Sequence, residues 1–167
     1  MNSYKLSIAY DGTNYFGFQK QKNKPTIQEK LEEALKLLMD SYELNYSGRT
    51  DAGVHAKSQI VNIKTDLILD TQKINSLNKI LGNSISINSV KVVSSNFHAR
   101  YGATERTYKY LVRDSKSNYP HLNKNTYQHY SLLNLEDLNK VAKLFIGEHN
   151  FSSFSRVEKF NNPERNI

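Results

Sequence analysis

The chain has 167 residues and no cysteine, and its 23 Lys and Arg against 16 Asp and Glu give a formal charge of +7. A hydrophobic content of 38%, with only 7 Gly and 3 Pro, supplies enough apolar surface for a packed core and excludes a disordered polyelectrolyte. The missing cysteines exclude disulfides, thiolate chemistry and Cys-ligated zinc or iron–sulfur centres, and no apolar run approaches the ~20 residues of a membrane span. The N-terminal residues lead straight into an alternating strand pattern without a signal peptide, so the expected compartment is cytoplasmic. The basic excess fits a polyanionic partner, and it equally fits the solvated surface of a lysine-rich protein.

In chain order, Tyr4, Leu6, Ile8 and Tyr10 recur at period two and predict a half-buried strand, which Asp11-Gly12-Thr13-Asn14 breaks with turn residues. Thr26 to Met39 reads as a helix: Pro25 precedes it, Thr26 and Glu29 have capping-box spacing, and Ile27, Leu31, Ala34, Leu35 and Leu38 form one stripe. A short segment Glu43 to Tyr46 leads into a glycine-rich loop, and Gln59 to Lys64 reads as a strand. Asp70 can cap a second helix that turns Ile74, Leu77, Ile80 and Leu81 inward and stops at Gly82. Ile85, Ile87 and Val90 to Val93 make another strand. Thr107 to Val112 alternates again, with Tyr108, Tyr110 and Val112 on one face, and Tyr127 to Tyr130 gives a weaker strand. Asn134 to Ile146 predicts a third helix with the stripe Leu135, Leu138, Val141, Ala142 and Phe145, closing near Gly147. Past Phe154, the run Ser155 to Ile167 has little periodicity and predicts no element. The pattern is an α/β (α+β) architecture, a mixed and largely antiparallel sheet with helices packed on it.

The chemistry is concentrated in Ser47-Gly48-Arg49-Thr50-Asp51-Ala52-Gly53-Val54-His55-Ala56, between two predicted strands. Its glycines permit close backbone approach, and a turn can bring Arg49 and Asp51 together. Such a pair would keep the carboxylate ionised for nucleophilic work; the same residues also read as an ordinary turn with a surface ion pair. The five histidines, His55, His98, His121, His129 and His149, show no metal-ligand spacing.

The Gly48 to Ala56 segment resembles the active-site motif of the TruA family of tRNA pseudouridine synthases. Tyr10-Asp11-Gly12-Thr13-Asn14-Tyr15-Phe16-Gly17-Phe18-Gln19 is similar to that family's opening motif, with Phe18 where Trp is frequent. Ile27 to Leu35 matches its first helix, Phe97-His98-Ala99-Arg100 with Arg106-Thr107-Tyr108-Lys109-Tyr110 its next block, and Gly147 to Phe151 the one after. These motifs keep the family's order along nearly the whole chain.

The resemblance implies the pseudouridine-synthase fold, with residues 1–105 as a ferredoxin-like domain carrying the catalytic motif and 106–167 as the start of a truncated second half. It implies isomerisation of uridine to pseudouridine at positions 38 to 40 of the tRNA anticodon stem-loop. Asp51 takes the place of the catalytic carboxylate, Arg49 of its supporting arginine, and Tyr108 of the tyrosine that contacts the target base. The implied partners are tRNA and a second copy of the chain, as a homodimer, with no metal, no small-molecule cofactor and no membrane. Lys20, Lys22, Lys24, Arg100, Arg106 and Lys109 are candidate contacts to RNA phosphates, each equally readable as a solvated charge. Two other readings stay open: an incomplete, inactive RNA-binding fragment, and a generic ferredoxin-like RNA-binding module stacking bases on Tyr4, Tyr10, Tyr108 and Tyr110.

Overall fold

Period-two alternation along Asn2–Tyr10 produces strand β1, which buries Tyr4, Leu6, Ile8 and Tyr10 on one face. In a computed structural model, which describes residues 1–154 and 163–167, β1 is a central strand of a four-stranded antiparallel sheet. The other strands are β2 (Glu43–Tyr46), β3 (Ala56–Thr65) and β4 (Ile85–Val93), in the order β2-β3-β1-β4. The register sets Leu6 against Val61 and Val90, and Tyr4 against Ile63, so the apolar faces coincide across strands.

Helices α1 (Ile27–Lys36) and α2 (Thr71–Leu81) follow β1 and β3, giving the β-α-β-β-α-β sequence and split pairing of a ferredoxin-like fold. The Thr26 hydroxyl accepts the Glu29 amide, and the Asp70 carboxylate accepts that of Lys73, so both N-caps form as their residues predict. Gly82 ends α2 at φ 70°. Ile27, Leu31, Ala34 and Leu35 join Leu77, Leu81 and the inward strand residues in one core. Ile80, expected inside, is 43% exposed, because α2 turns only Leu77 and Leu81 fully inward.

The structure divides into two compact units, Met1–Thr107 and Tyr108–Ile167. Thr107 to Val112, which begins at the end of the first unit, is not the expected strand. Only Val112–Asp114 (β5) pairs, in parallel with Tyr127–His129 (β6), and Tyr108 and Tyr110 stand exposed. Arg113 organises this region by donating to Gln128 Oε1 (2.6 Å), Asn123 Oδ1 (2.9 Å) and the Tyr119 carbonyl (3.3 Å). Helix α3 (Leu135–Lys143) is capped by Asn134 as expected, but its stripe of Leu135, Leu138 and Val141 faces solvent.

Of the aperiodic run past Phe154, residues 155–162 lie outside the described residues. Glu164–Asn166 forms a short strand, β8, antiparallel to Glu148–Asn150 (β7), a pairing that backbone hydrogen bonds make without any side-chain periodicity. No helix among the described residues is long and apolar enough to cross a membrane.

Leu31, fully enclosed between α1 and the sheet, separates core from surface energetically. Leu31→Ala is expected to cost about 2–5 kcal/mol in urea unfolding, whereas Leu138→Ala on the open face of α3 should stay within about 0.5 kcal/mol.

Candidate active site

The Gly48–Ala56 loop joins β2 to β3 and is gripped by the Asp11–Gln19 loop that follows β1. Phe18 N donates to the Thr50 carbonyl (3.0 Å) and Gly53 N to the Tyr15 carbonyl (3.2 Å). Two glycines make this approach possible. A Cβ on Gly12 would lie 2.0 Å from the Val54 carbonyl oxygen, and one on Gly17 would lie 2.5 Å from the Thr50 carbonyl oxygen. Gly17 also sits at φ 90°, a conformation costly for any L side chain.

At the tip, Val54 N donates back to the Asp51 carbonyl (3.2 Å), and Gly53 at φ 79° supplies the left-handed position of that turn. His55 Nδ1 lies 3.1 Å from Asp11 Oδ1 and 3.3 Å from Gly12 N, so this histidine packs one loop against the other.

Thr50 points inward. Its hydroxyl meets the Tyr10 hydroxyl at 2.9 Å, at the buried end of β1, and Phe18 packs its ring against Tyr10 and Tyr46. Burial pushes the Tyr10 phenol above its ordinary value, partly opposed by the Thr50 hydrogen bond. With Thr50 turned to the core, its two neighbours Arg49 and Asp51 face out together. Both line a depression of ≈ 320 Å³ with Phe16, Gln19, Gln21, Lys24, Thr50 and Ala52.

Arg49 and Asp51 therefore share one cavity, yet among the described residues they form no ion pair, contrary to the pairing expected from their spacing. Both side chains are exposed, and a solvated pair gains too little to hold two mobile groups in contact.

Residues 6–102, more than half of the chain, match the family model described as tRNA pseudouridine synthase. The chain belongs to that family. It is 45% identical over 156 residues to tRNA pseudouridine synthase A of Caldicellulosiruptor saccharolyticus, covering 92% of this chain and 64% of that protein. It is also 38% identical over 170 residues to the protein of that name from Francisella philomiragia, covering 100% of this chain and 66% of the relative. A third, from Borreliella burgdorferi, is 40% identical over 162 residues, covering 95% of this chain and 65% of its own length. The chain thus spans a little under two thirds of the length of these curated relatives.

The cationic residues of this synthase-family chain differ in how they are engaged. Arg106 turns inward on the loop: its Nη2 donates to the Ser47 carbonyl at 2.8 Å and lies 3.4 Å from the Arg100 carbonyl, with its side chain against Gly48. It braces the loop's entry, a role that sequence spacing could not show because the two segments lie 59 residues apart. Lys20 pairs with Glu32 at 3.1 Å, and that partner raises the lysine pKa. Lys22 is exposed, and Arg100 lies over the ring of Tyr101. Tyr108, first residue of the second unit, is 67% exposed. Among the described residues, no group of three His, Cys, Asp or Glu side chains is placed to hold a metal ion.

Sequence reading missed Phe16, Gln19 and Gln21 as neighbours of Asp51, and missed the Tyr10–Thr50 link. The available signals were Gly12 and Gly17, which mark a close approach without naming what approaches, and Tyr10 at the inward end of an alternating strand.

Gly17→Ala should destabilise the chain by at least about 1–2 kcal/mol and shift the loop. The measurements are urea unfolding and the amide chemical shifts of Thr50 to Gly53. Because folding raises the Tyr10 pKa, its contribution to stability is complete below the ordinary value of 10.0 and is lost as pH rises through the raised folded value. Tyr10→Phe should therefore flatten the alkaline loss of stability followed by circular dichroism. A residual slope should come from Tyr42, raised by burial and by Glu32.

Proposed function

We propose that this chain carries the catalytic carboxylate of an enzyme that isomerises uridine to pseudouridine in the anticodon stem-loop of tRNA, with Asp51 as the nucleophile. The observation that carries this reading is the placement of Asp51. It stands at the exposed tip of a loop whose backbone is fixed from beneath, inside a depression that also holds two cations, Arg49 and Lys24. A carboxylate carried on a fixed backbone and open to solvent on a basic surface suits attack on a nucleotide presented by a polyanion.

The reaction breaks the N1–C1′ bond and forms a C5–C1′ bond; the C5 proton leaves to solvent and N1 takes one up, so the product is an isomer. Asp51 acts at C1′, at C6, or on the C2′ proton. Each route needs the carboxylate at the ribose–uracil junction and the nucleotide out of its helix, which costs a few kcal/mol of stacking. Arg49, on the same cavity wall, supports the loop's electrostatics and meets the RNA backbone. Tyr108 is the candidate contact to the target base, with a hydroxyl for proton transfer.

Lys22, Lys109 and Arg100, all exposed at the surface, are the candidate phosphate contacts that this reading favours. The guanidinium of Arg106 and the ammonium of Lys20 are directed to intramolecular partners. The reading includes a cytoplasmic homodimer acting without metal or cofactor.

The test is tritium release from tRNA carrying [5-³H]uridine, with RNA binding measured over a salt series. Release by the wild-type chain and its loss in Asp51→Asn, with salt-sensitive binding retained in both, is the expected result. Binding without release from the wild-type chain would instead make it an RNA-binding part of such an enzyme.

A further inference from the structure

The wall of the Asp51 depression opposite the catalytic loop is built by the short basic connection between β1 and α1. Gln21 and Lys24 pair across a tight turn in which Asn23 takes φ 59°. Gln21 Nε2 donates to the Phe16 carbonyl at 2.6 Å, and Phe16 N donates to the Pro25 carbonyl at 2.9 Å. These bonds fix the turn beside Phe16. Phe16 is 48% exposed, unusual for a phenylalanine next to a core, and it lines the same cavity as Asp51. Over it, at 5.0 Å from the ring centre, sits the Lys24 ammonium.

We propose that Phe16 and Lys24 are substrate-contact residues: the ring receives the extruded uracil by stacking, and the ammonium moves to that nucleotide's phosphate. The inference rests on the proposed isomerase reading and assigns the two halves of one nucleotide to two neighbouring side chains. Magnitudes favour the exchange. An exposed cation–π contact contributes about 0.5–1 kcal/mol, less than the ~1–3 kcal/mol of a base stacked on an aromatic ring. The phosphate also gives the displaced ammonium a stronger partner than the ring. A cavity of ≈ 320 Å³ is at the lower end for a small-molecule site and suits a single nucleotide. Its cations, Lys24 and Arg49, outnumber its one carboxylate, Asp51.

The test uses a stem-loop RNA with 2-aminopurine beside the target uridine, whose fluorescence rises when its neighbour leaves the stack, and it needs no turnover. Phe16→Ala should lower the extrusion equilibrium by about 5- to 150-fold while RNA still binds, and Phe16→Tyr should restore it. Lys24→Gln should reduce the salt slope of binding by about 1, with Lys24→Arg keeping it. Circular dichroism of each variant checks that the fold is intact, as expected for two exposed positions.

Wild-type extrusion in Phe16→Ala, or an unchanged slope in Lys24→Gln, overturns the corresponding assignment. Failure of the isomerase reading registers separately, as wild-type extrusion without tritium release. An absence of salt-sensitive RNA binding by the wild-type chain overturns both.

Discussion

The site depends on two backbones touching where no side chain could fit between them. Gly12 and Gly17 bring the loop after β1 against the carbonyls of Thr50 and Val54, and hydrogen bonds then tie the loops at Thr50 and Gly53. The arrangement answers a conflict in the site's requirements. The proposed nucleophile would meet a macromolecule and so must be exposed, and exposed loops are ordinarily mobile. Here the side chain of Asp51 is in solvent while the peptides around it are held by the core-anchored segment beneath. Thr50 transmits that anchoring, reaching Tyr10 through its hydroxyl and Phe18 through its carbonyl.

Electrostatics follows from the same geometry. Turning Thr50 inward turns Arg49 and Asp51 outward together, which gathers them in one cavity but leaves both solvated. A direct ion pair there would gain at most about 1 kcal/mol and would occupy the carboxylate. Loop support comes instead from Arg106, whose guanidinium bonds backbone carbonyls and leaves Asp51 untouched. The neutral acceptors make that brace insensitive to the charge state of the site. The division separates a cation that holds the loop from cations available to a phosphate, a distinction net charge cannot make.

Much of the first unit was legible in its residues. The alternation of Tyr4, Leu6, Ile8 and Tyr10, the caps Thr26 and Asp70 and the stop at Gly82 are local devices with one outcome each, and each formed. The departures arise where the outcome depends on distant chain. Thr107 to Val112 has strand periodicity, but a strand also needs a partner, and only Val112–Asp114 finds one. The α3 stripe has helical periodicity and its cap, and the helix forms; Phe145 just past its end packs against Phe151 and Phe154, but burial of Leu135, Leu138 and Val141 needs another surface, which the described residues do not supply. The loop that carries Asp51 was legible because its motif is contiguous. The places of Phe16 and Arg106 beside that loop were not, since they depend on chain 35 and 59 residues away.

The position of the aromatic residues favours the proposed single-nucleotide site over a sheet-surface reader of RNA. Tyr4 and Tyr10, which could have formed a stacking platform, are 3% and 4% exposed in the core beneath the helices. The opposite sheet face presents Lys5, Ser7, Ser58, Ile60, Ser89 and Lys91 around a shallow groove, and the one ring beside these residues is Phe97, half-buried with the Lys5 ammonium 5.8 Å from its centre. Such a face can meet phosphates but cannot hold successive splayed bases. Within the first unit, base stacking must therefore come from the loops, and the exposed ring that shares a cavity with the carboxylate is Phe16. On the proposed reading, a site of this form would engage one base at a time and leave the rest of the RNA to backbone contacts, as chemistry on a single extruded nucleotide requires.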